Sequence, residues 1–241
     1  MLSLPLPAKK DQSRWHKLYG SSLALAITDA ASRHTDGPVA VVVEDVHHAD
    51  ILTRELSFYK QARQTLYHLP DWETLPYDVF SPHQDIISER LTTLYALQNI
   101  HQNDILIIPV STLAQRLAPC SYIQGNVIRF RIGQQLDIDS FRKNLNAAGY
   151  QCVNEVMEHG EYAVRGSIID LFPASASAPY RLDLFDDEIE SIRIFDPNTQ
   201  RSDEKVDSIE LLPAREFPTD EKGIQLFRSR YRELIAGDPL N

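Results

Sequence analysis

The stretch Val156–Arg201, VMEHGEYAVRGSIIDLFPASASAPYRLDLFDDEIESIRIFDPNTQR, decides how the second half of the chain folds. Its short apolar-rich runs, separated by turn residues, read as several antiparallel strands. Within it Tyr180-Arg181-Leu182-Asp183-Leu184-Phe185 alternates strictly. Successive side chains of a strand point to opposite faces, so Tyr180, Leu182 and Leu184 share a core face while Arg181, Asp183 and Phe185 share the other. A phenylalanine beside two charged residues on a solvated face gains nothing for folding and points to a partner. Arg165-Gly166 adds to this, because a glycine inside a strand marks a bulge or a close approach and its neighbour points away from the core. Arg165, Arg181 and Phe185 make up the kind of arginine and aromatic set that dominates interface energetics. From the residues alone, ordinary sheet-surface positions remain the alternative.

Upstream the texture differs. Val39-Ala40-Val41-Val42-Val43 and Asp104-Ile105-Leu106-Ile107-Ile108-Pro109 are continuous apolar runs, the mark of strands buried on both faces of a parallel sheet. Thr65–Leu69 is a shorter strand. Helices are predicted over Gln12–Arg33, from about His48 to Arg63, and over Gln84–Asn99, where Ile87, Leu91, Leu94 and Tyr95 keep the three-to-four spacing. Ser111 caps a short helix that ends before Pro119. Helices alternating with buried strands specify an α/β fold with a parallel sheet.

From Pro119 polar and apolar residues alternate, and strands crowd together. Val127–Arg131 is a strand, Asp139 caps a helix through Ala148 with Gly149 at its C′ position, and Cys152–Met157 leads into the meander. Lys205–Leu212 is the last strand. The expected domains are an α/β domain at 1–118, an inserted α+β domain with an antiparallel sheet at 119–212, and a return segment at 213–241. The return helix runs from Pro218 to about Ala236, ends at Gly237 and is expected to pack on the first domain.

The 241 residues carry a net charge of −10, which argues against a module that lives by gripping phosphate backbones. Lys and Arg against Asp and Glu stand at 9 to 15 over residues 121–207, so the meander region is the acidic one. Cys120 and Cys152 lie outside any CxxC spacing, which excludes a zinc knuckle or a disulfide framework. With no signal-like apolar run and no membrane-length segment, the expected location is the cytoplasm.

A nucleotide-hydrolysing α/β domain needs a glycine-rich loop ending in Gly-Lys-Ser/Thr, because backbone amides and the lysine neutralise the phosphates. No lysine here follows a glycine, and Leu18-Tyr19-Gly20-Ser21-Ser22 lacks both the second glycine and the lysine. Leu184-Phe185-Asp186-Asp187-Glu188 looks like an acidic magnesium motif, but Asp186-Asp187 is better read as a tight turn between strands. His47-His48 with Glu44 and Asp45 diverge at a strand-to-helix junction, where Asp45 or Asp50 serves as a helix cap rather than a metal ligand. His83, Asp85, Glu89 and Arg90 have no accompanying nucleophile and read as a solvated helix start. Trp72 and Tyr77 are read as anchors that tack a proline-rich loop to the α/β core. No catalytic residue, metal or cofactor is assigned.

Four stretches closely resemble the N-terminal region of bacterial transcription-repair coupling factors: Asp71-Trp72-Glu73-Thr74-Leu75-Pro76-Tyr77-Asp78, Ser81–Ser88, Glu158–Ala163 and Tyr180–Asp183. The same region is similar to part of the excision-repair protein UvrB, with Arg165-Gly166 and Phe172-Pro173-Ala174-Ser175 in keeping. The resemblance implies a degenerate P-loop, helicase-like α/β domain carrying an inserted domain that docks the repair protein UvrA. It places the docking residues at Arg165, Arg181 and Phe185. It also implies that RNA polymerase and DNA are bound through regions absent here, and it leaves room for an intramolecular contact with the C-terminal part of a full-length protein. The alternative is a nucleotide- or DNA-dependent enzyme of the UvrB type. The missing lysine and the short loop between Tyr77 and Ile86 speak against it.

Overall fold

A parallel sheet of three strands and two mainly antiparallel sheets, of six and two strands, carry the fold. The computed structural model describes residues 4–8, 11–75 and 78–236, so Tyr77 and Gly237 lie outside the described residues. The chain divides into two units, one running to Pro82 with Thr93–Arg116, the other comprising His83–Thr92 and everything from Leu117 on.

The first unit contains α1 (Ser22–Arg33), β1 (Val39–Val43), α2 (Val46–Tyr59), β2 (Leu66–His68), the end of α3 (Gln84–Ala96), β3 (Ile105–Pro109) and α4 (Val110–Leu113). The strands run parallel in the order β1-β3-β2. Helix α1 starts later than its apolar content predicts, because Gly20 and Lys17 both take positive φ angles, 54° and 61°. Asp45 caps α2 by accepting the His48 amide at 2.8 Å. Pro109 rather than Ser111 occupies the position ahead of α4.

The central strand β3 buries Ile105, Ile107 and Ile108, as a continuous apolar run predicts. Strand β1 does not follow the same expectation. Val39, Val41 and Val43 pack with Ala24, Ile27 and Leu52 of α1 and α2, whereas Ala40 and Val42 are exposed. The reason is position: β1 is an edge strand, so a sequence fit for burial on both faces is covered on one.

The second unit holds α5 (Cys120–Gly125), β4 (Ile128–Arg131), α6 (Ile138–Ala147), β5 (Gln151–Cys152), β6 (Glu161–Arg165), β7 (Ile168–Leu171) and β8 (Tyr180–Phe185). It continues with β9 (Glu188–Phe195), β10 (Ser202–Val206), β11 (Ser208–Leu211) and α7 (Glu221–Ala236). The larger sheet has the order β10-β9-β8-β7-β6-β5, antiparallel except where β5 joins β6. The expected strand Lys205–Leu212 splits at Asp207, β10 staying in the meander and β11 pairing with β4. Asp137, not Asp139, caps α6 by accepting the Ser140 amide at 2.7 Å. Gly149 takes its C′ position with φ +89°, where an added Cβ would meet the Arg215 side chain at 2.8 Å.

Phe130, Phe141, Leu145, Tyr162, Ile169, Leu182 and Ile192 belong to one core between α6 and one face of the large sheet. Tyr150 is buried in the same core and donates its hydroxyl to the Leu212 carbonyl at 2.7 Å. Burial pushes that phenol well above its ordinary range. Arg90 is not the solvated residue its sequence neighbours predict. It is wholly buried and forks onto Glu216, with Nε on Oε1 and Nη2 3.2 Å from Oε2, because a buried guanidinium requires a carboxylate. Helix α7 leaves Ile224, Leu226, Phe227, Tyr231, Leu234 and Ile235 exposed. Among the described residues no helix is long and apolar enough to cross a membrane.

Candidate docking face of the large sheet

Alternation along β6 to β9 sorts the large sheet into two faces. Tyr162, Ile169, Leu171, Leu182 and Leu184 are buried on the core side. Arg165, Asp170, Arg181, Asp183 and Phe185 fall on the other. Leu182 and Leu184 sit where the reading of Tyr180–Phe185 puts them, and Tyr180 is half-buried against the same core. The extra residue that β9 inserts between Asp183 and Leu184 of the β8 register leaves the alternation of β8 itself intact.

One end of the second face is built around a buried acid. Asp170 has no exposed surface, and the register sets it directly opposite Arg181 on β8. Arg181 grips it with both arms, Nε on Oδ1 at 2.6 Å and Nη2 on Oδ2 at 2.9 Å. Its Nη1 donates to the Gln200 carbonyl at 3.1 Å, and the guanidinium lies 4.7 Å above the Phe195 ring. The hydrogen bonds to Asp170 raise the Arg181 pKa above its ordinary value. Arg165, from the end of β6, reaches diagonally back so that its Nη2 also bonds Oδ2 of Asp170. The side chains are 47% exposed for Arg165, 16% for Arg181 and 0% for Asp170.

A sequence reading that put Arg181 in solvent is therefore corrected, because an acid buried on the next strand draws it into the sheet. The same holds for Gly166. It is not inside a strand but in the two-residue turn between β6 and β7, where its φ of 63° suits glycine.

Phe185 occupies the other end, four residues along β8 and about 13 Å from Arg181 at the usual strand rise. It is 70% exposed. The two-residue turn Asp186-Asp187 follows it, with Asp186 at φ 53°, which bears out the turn reading of that acidic pair. Leu136 donates its amide to the Asp187 carbonyl at 2.6 Å, Gly133 does so to Ile189 at 2.8 Å, and Ile189 returns a bond to Gln134 at 2.9 Å. The hairpin tip is thereby fixed from behind, and the phenyl ring is held out on a rigid support. Between the two ends, Arg193 pairs with Arg181 across β8 and β9, and its Nε stands 3.9 Å from Asp183. Asp183 itself accepts the Ser191 hydroxyl at 2.7 Å.

Sequence reasoning missed Asp170 and Arg193. The available signal was Asp170 alternating with Ile169 and Leu171, which is compatible with either an exposed or a paired acid. The other motifs lie elsewhere. Ser21 bonds the Tyr59 hydroxyl at 2.9 Å, and His48 Nδ1 lies 2.8 Å from the Asp45 carboxylate that caps its helix. Among the described residues no three His, Cys, Asp or Glu side chains converge as a metal site.

Residues 128–217, which take in every strand from β4 to β11, match the family described as the UvrB interaction domain. This stretch is similar to UvrB interaction domains. Most of the chain is also similar to transcription-repair-coupling factors. It is 49% identical to that of Escherichia coli (strain K12) over 237 residues, 97% of this chain and 20% of the relative. Against that of Haemophilus influenzae the identity is 51% over 225 residues, 92% of this chain and 19% of the relative. The Myxococcus xanthus protein is 36% identical over 190 residues, 76% of this chain and 16% of the relative. The chain thus spans about a fifth of the length of the curated relatives it matches. These findings bear out the resemblance read from Asp71–Asp78, Glu158–Ala163 and Tyr180–Asp183. Both ends of the charged face lie within the residues matched to the UvrB interaction domain.

Proposed function

We propose that this chain is a binding module that recruits UvrA, linking stalled RNA polymerase to excision repair without catalysis of its own. Residues 119–212 act as the docking module, borne on a degenerate helicase-type α/β domain at 1–118 and followed by a return segment at 213–241. Contacts with RNA polymerase and DNA belong to regions of the longer relatives outside this chain.

The observation that carries the reading is Phe185. A large apolar ring 70% exposed on a braced turn, on the same face as Arg165 and Arg181, is arranged as an interface anchor rather than as core. The UvrB interaction domain match supports the choice of partner. The absence of any lysine following a glycine supports a non-catalytic role, since the phosphate cradle has lost its charge. Titrating purified UvrA into the chain by calorimetry is expected to saturate at one site, while ATP is neither bound nor turned over. No heat of UvrA binding at micromolar concentrations, or steady ATP turnover lost on mutation of Ser21, would overturn the proposal.

A further inference from the structure

Arg165 and Arg181 share one buried carboxylate, and their surroundings differ. Arg181 contacts both oxygens of Asp170, bonds the Gln200 carbonyl and lies on the Phe195 ring, so its fork is engaged inside the sheet. Among the described residues, Arg165 has Asp170 as its sole acceptor, reached through Nη2 alone. A guanidinium has five N–H donors in a fixed plane, so most of the Arg165 fork is left for another acceptor. A free arginine on a surface would sample many rotamers and lose that freedom on docking. One tied at a single nitrogen has already lost part of it.

We propose that Asp170 is a positioning residue for docking: neutralised by Arg181, it holds Arg165 by one nitrogen so that the remaining edge of the guanidinium meets a carboxylate on the partner. The assignment rests on the reading that this face docks UvrA. It gives the arginines different work, Arg165 touching the partner and Arg181 acting through Asp170. It also gives a role to a carboxylate with no exposed surface that sits beside the buried Ala163 and Phe195 on this face. The partner group must be an acceptor of planar shape, since the free edge of a guanidinium matches a carboxylate by two parallel bonds.

The test uses the full chain and purified UvrA, with affinity by calorimetry and stability by urea unfolding for each variant. Arg165→Ala is expected to weaken binding about tenfold or more, as interface anchors do, with at most a small shift of the unfolding midpoint. Asp170→Asn should weaken binding by a similar factor, and Arg165→Ala made in that background should cost little more. Additive losses in the double variant would overturn the inference, because a merely structural Asp170 cannot alter what Arg165 contributes. Should Asp170→Asn fail to fold, Arg165→Lys decides. A lysine keeps the charge and the reach to Asp170 but not the fork, so most of the alanine effect is expected, and wild-type affinity would overturn the inference. Phe185→Ala separates the two levels. If it weakens binding while the Arg165 and Asp170 effects add, only the positioning role fails. If the unaltered chain does not bind UvrA, both fail.

Discussion

The two ends of the proposed docking face stand in opposite relation to the fold. At one end Arg165, Asp170 and Arg181 form a knot whose centre is buried and whose outer arm reaches solvent. At the other, Phe185 projects from a turn and is 70% exposed. Both ends lie on the same side of the same strands, so sharing a face says nothing about sharing a role. The knot is tied into the stability of the domain, whereas the tip is free to change without disturbing what holds it. If this face docks a partner as proposed, function and folding are coupled at one end and separable at the other.

The first way to break this comparison is to remove a buried charge partner outright. Arg90→Ala strips Glu216 of its fully buried counter-ion and should cost about 3–5 kcal/mol of unfolding free energy. It sets the scale for the knot. Arg181→Ala should cost less, about 2–4 kcal/mol, because Arg165 remains to accompany Asp170 and the site is not fully closed. Both are read from urea unfolding curves. An Arg181→Ala protein as stable as its parent would show that Asp170 is not held as its geometry indicates, and the two ends would then be alike. Arg165→Ala sharpens the contrast, since the exposed arm of the pair should be worth under about 1 kcal/mol to folding.

The smallest effect concerns the turn behind the knot. Hydrogen bonds from the amides of Thr199 and Asn198 hold the Asp196 carboxyl below its ordinary value. A depressed folded-state value means that this contribution is present above the unfolded carboxylate pKa and lost as pH falls through the folded one. Acid should therefore loosen the turn from Asp196 to Arg201, whose Gln200 carbonyl Arg181 grips. Lower protection of the Asn198 and Thr199 amides on acidification, relative to their intrinsic exchange rates at each pH, is the expected result. Protection factors at these two amides that do not fall with acid would remove the carboxylate from the account.

How much of this was legible in the sequence follows from how far each interaction reaches along the chain. The alternation of Tyr180–Phe185 placed Leu182 and Leu184 in the core and Phe185 in solvent, because period two is a local property of a strand. The Asp186-Asp187 turn was legible for the same reason. The pairing of Asp170 with Arg181 was not, since it depends on the register between β7 and β8 across the loop Phe172–Pro179, and that loop has no fixed turn type. Arg90 and Glu216 are 126 residues apart, so nothing near either one announces the other. β1 was misread because an edge strand and a central strand can share one composition. The candidate site was legible as a set of residues, Arg165, Arg181 and Phe185, but its organising acid was not.

The account rests most directly on Phe185. Phe185→Ala, measured in one preparation by calorimetric titration with UvrA and by urea unfolding, should weaken binding by about 1–4 kcal/mol and shift stability by no more than about 0.5 kcal/mol. Unchanged affinity would place the interface elsewhere, and a large loss of stability would show that the ring belongs to the core.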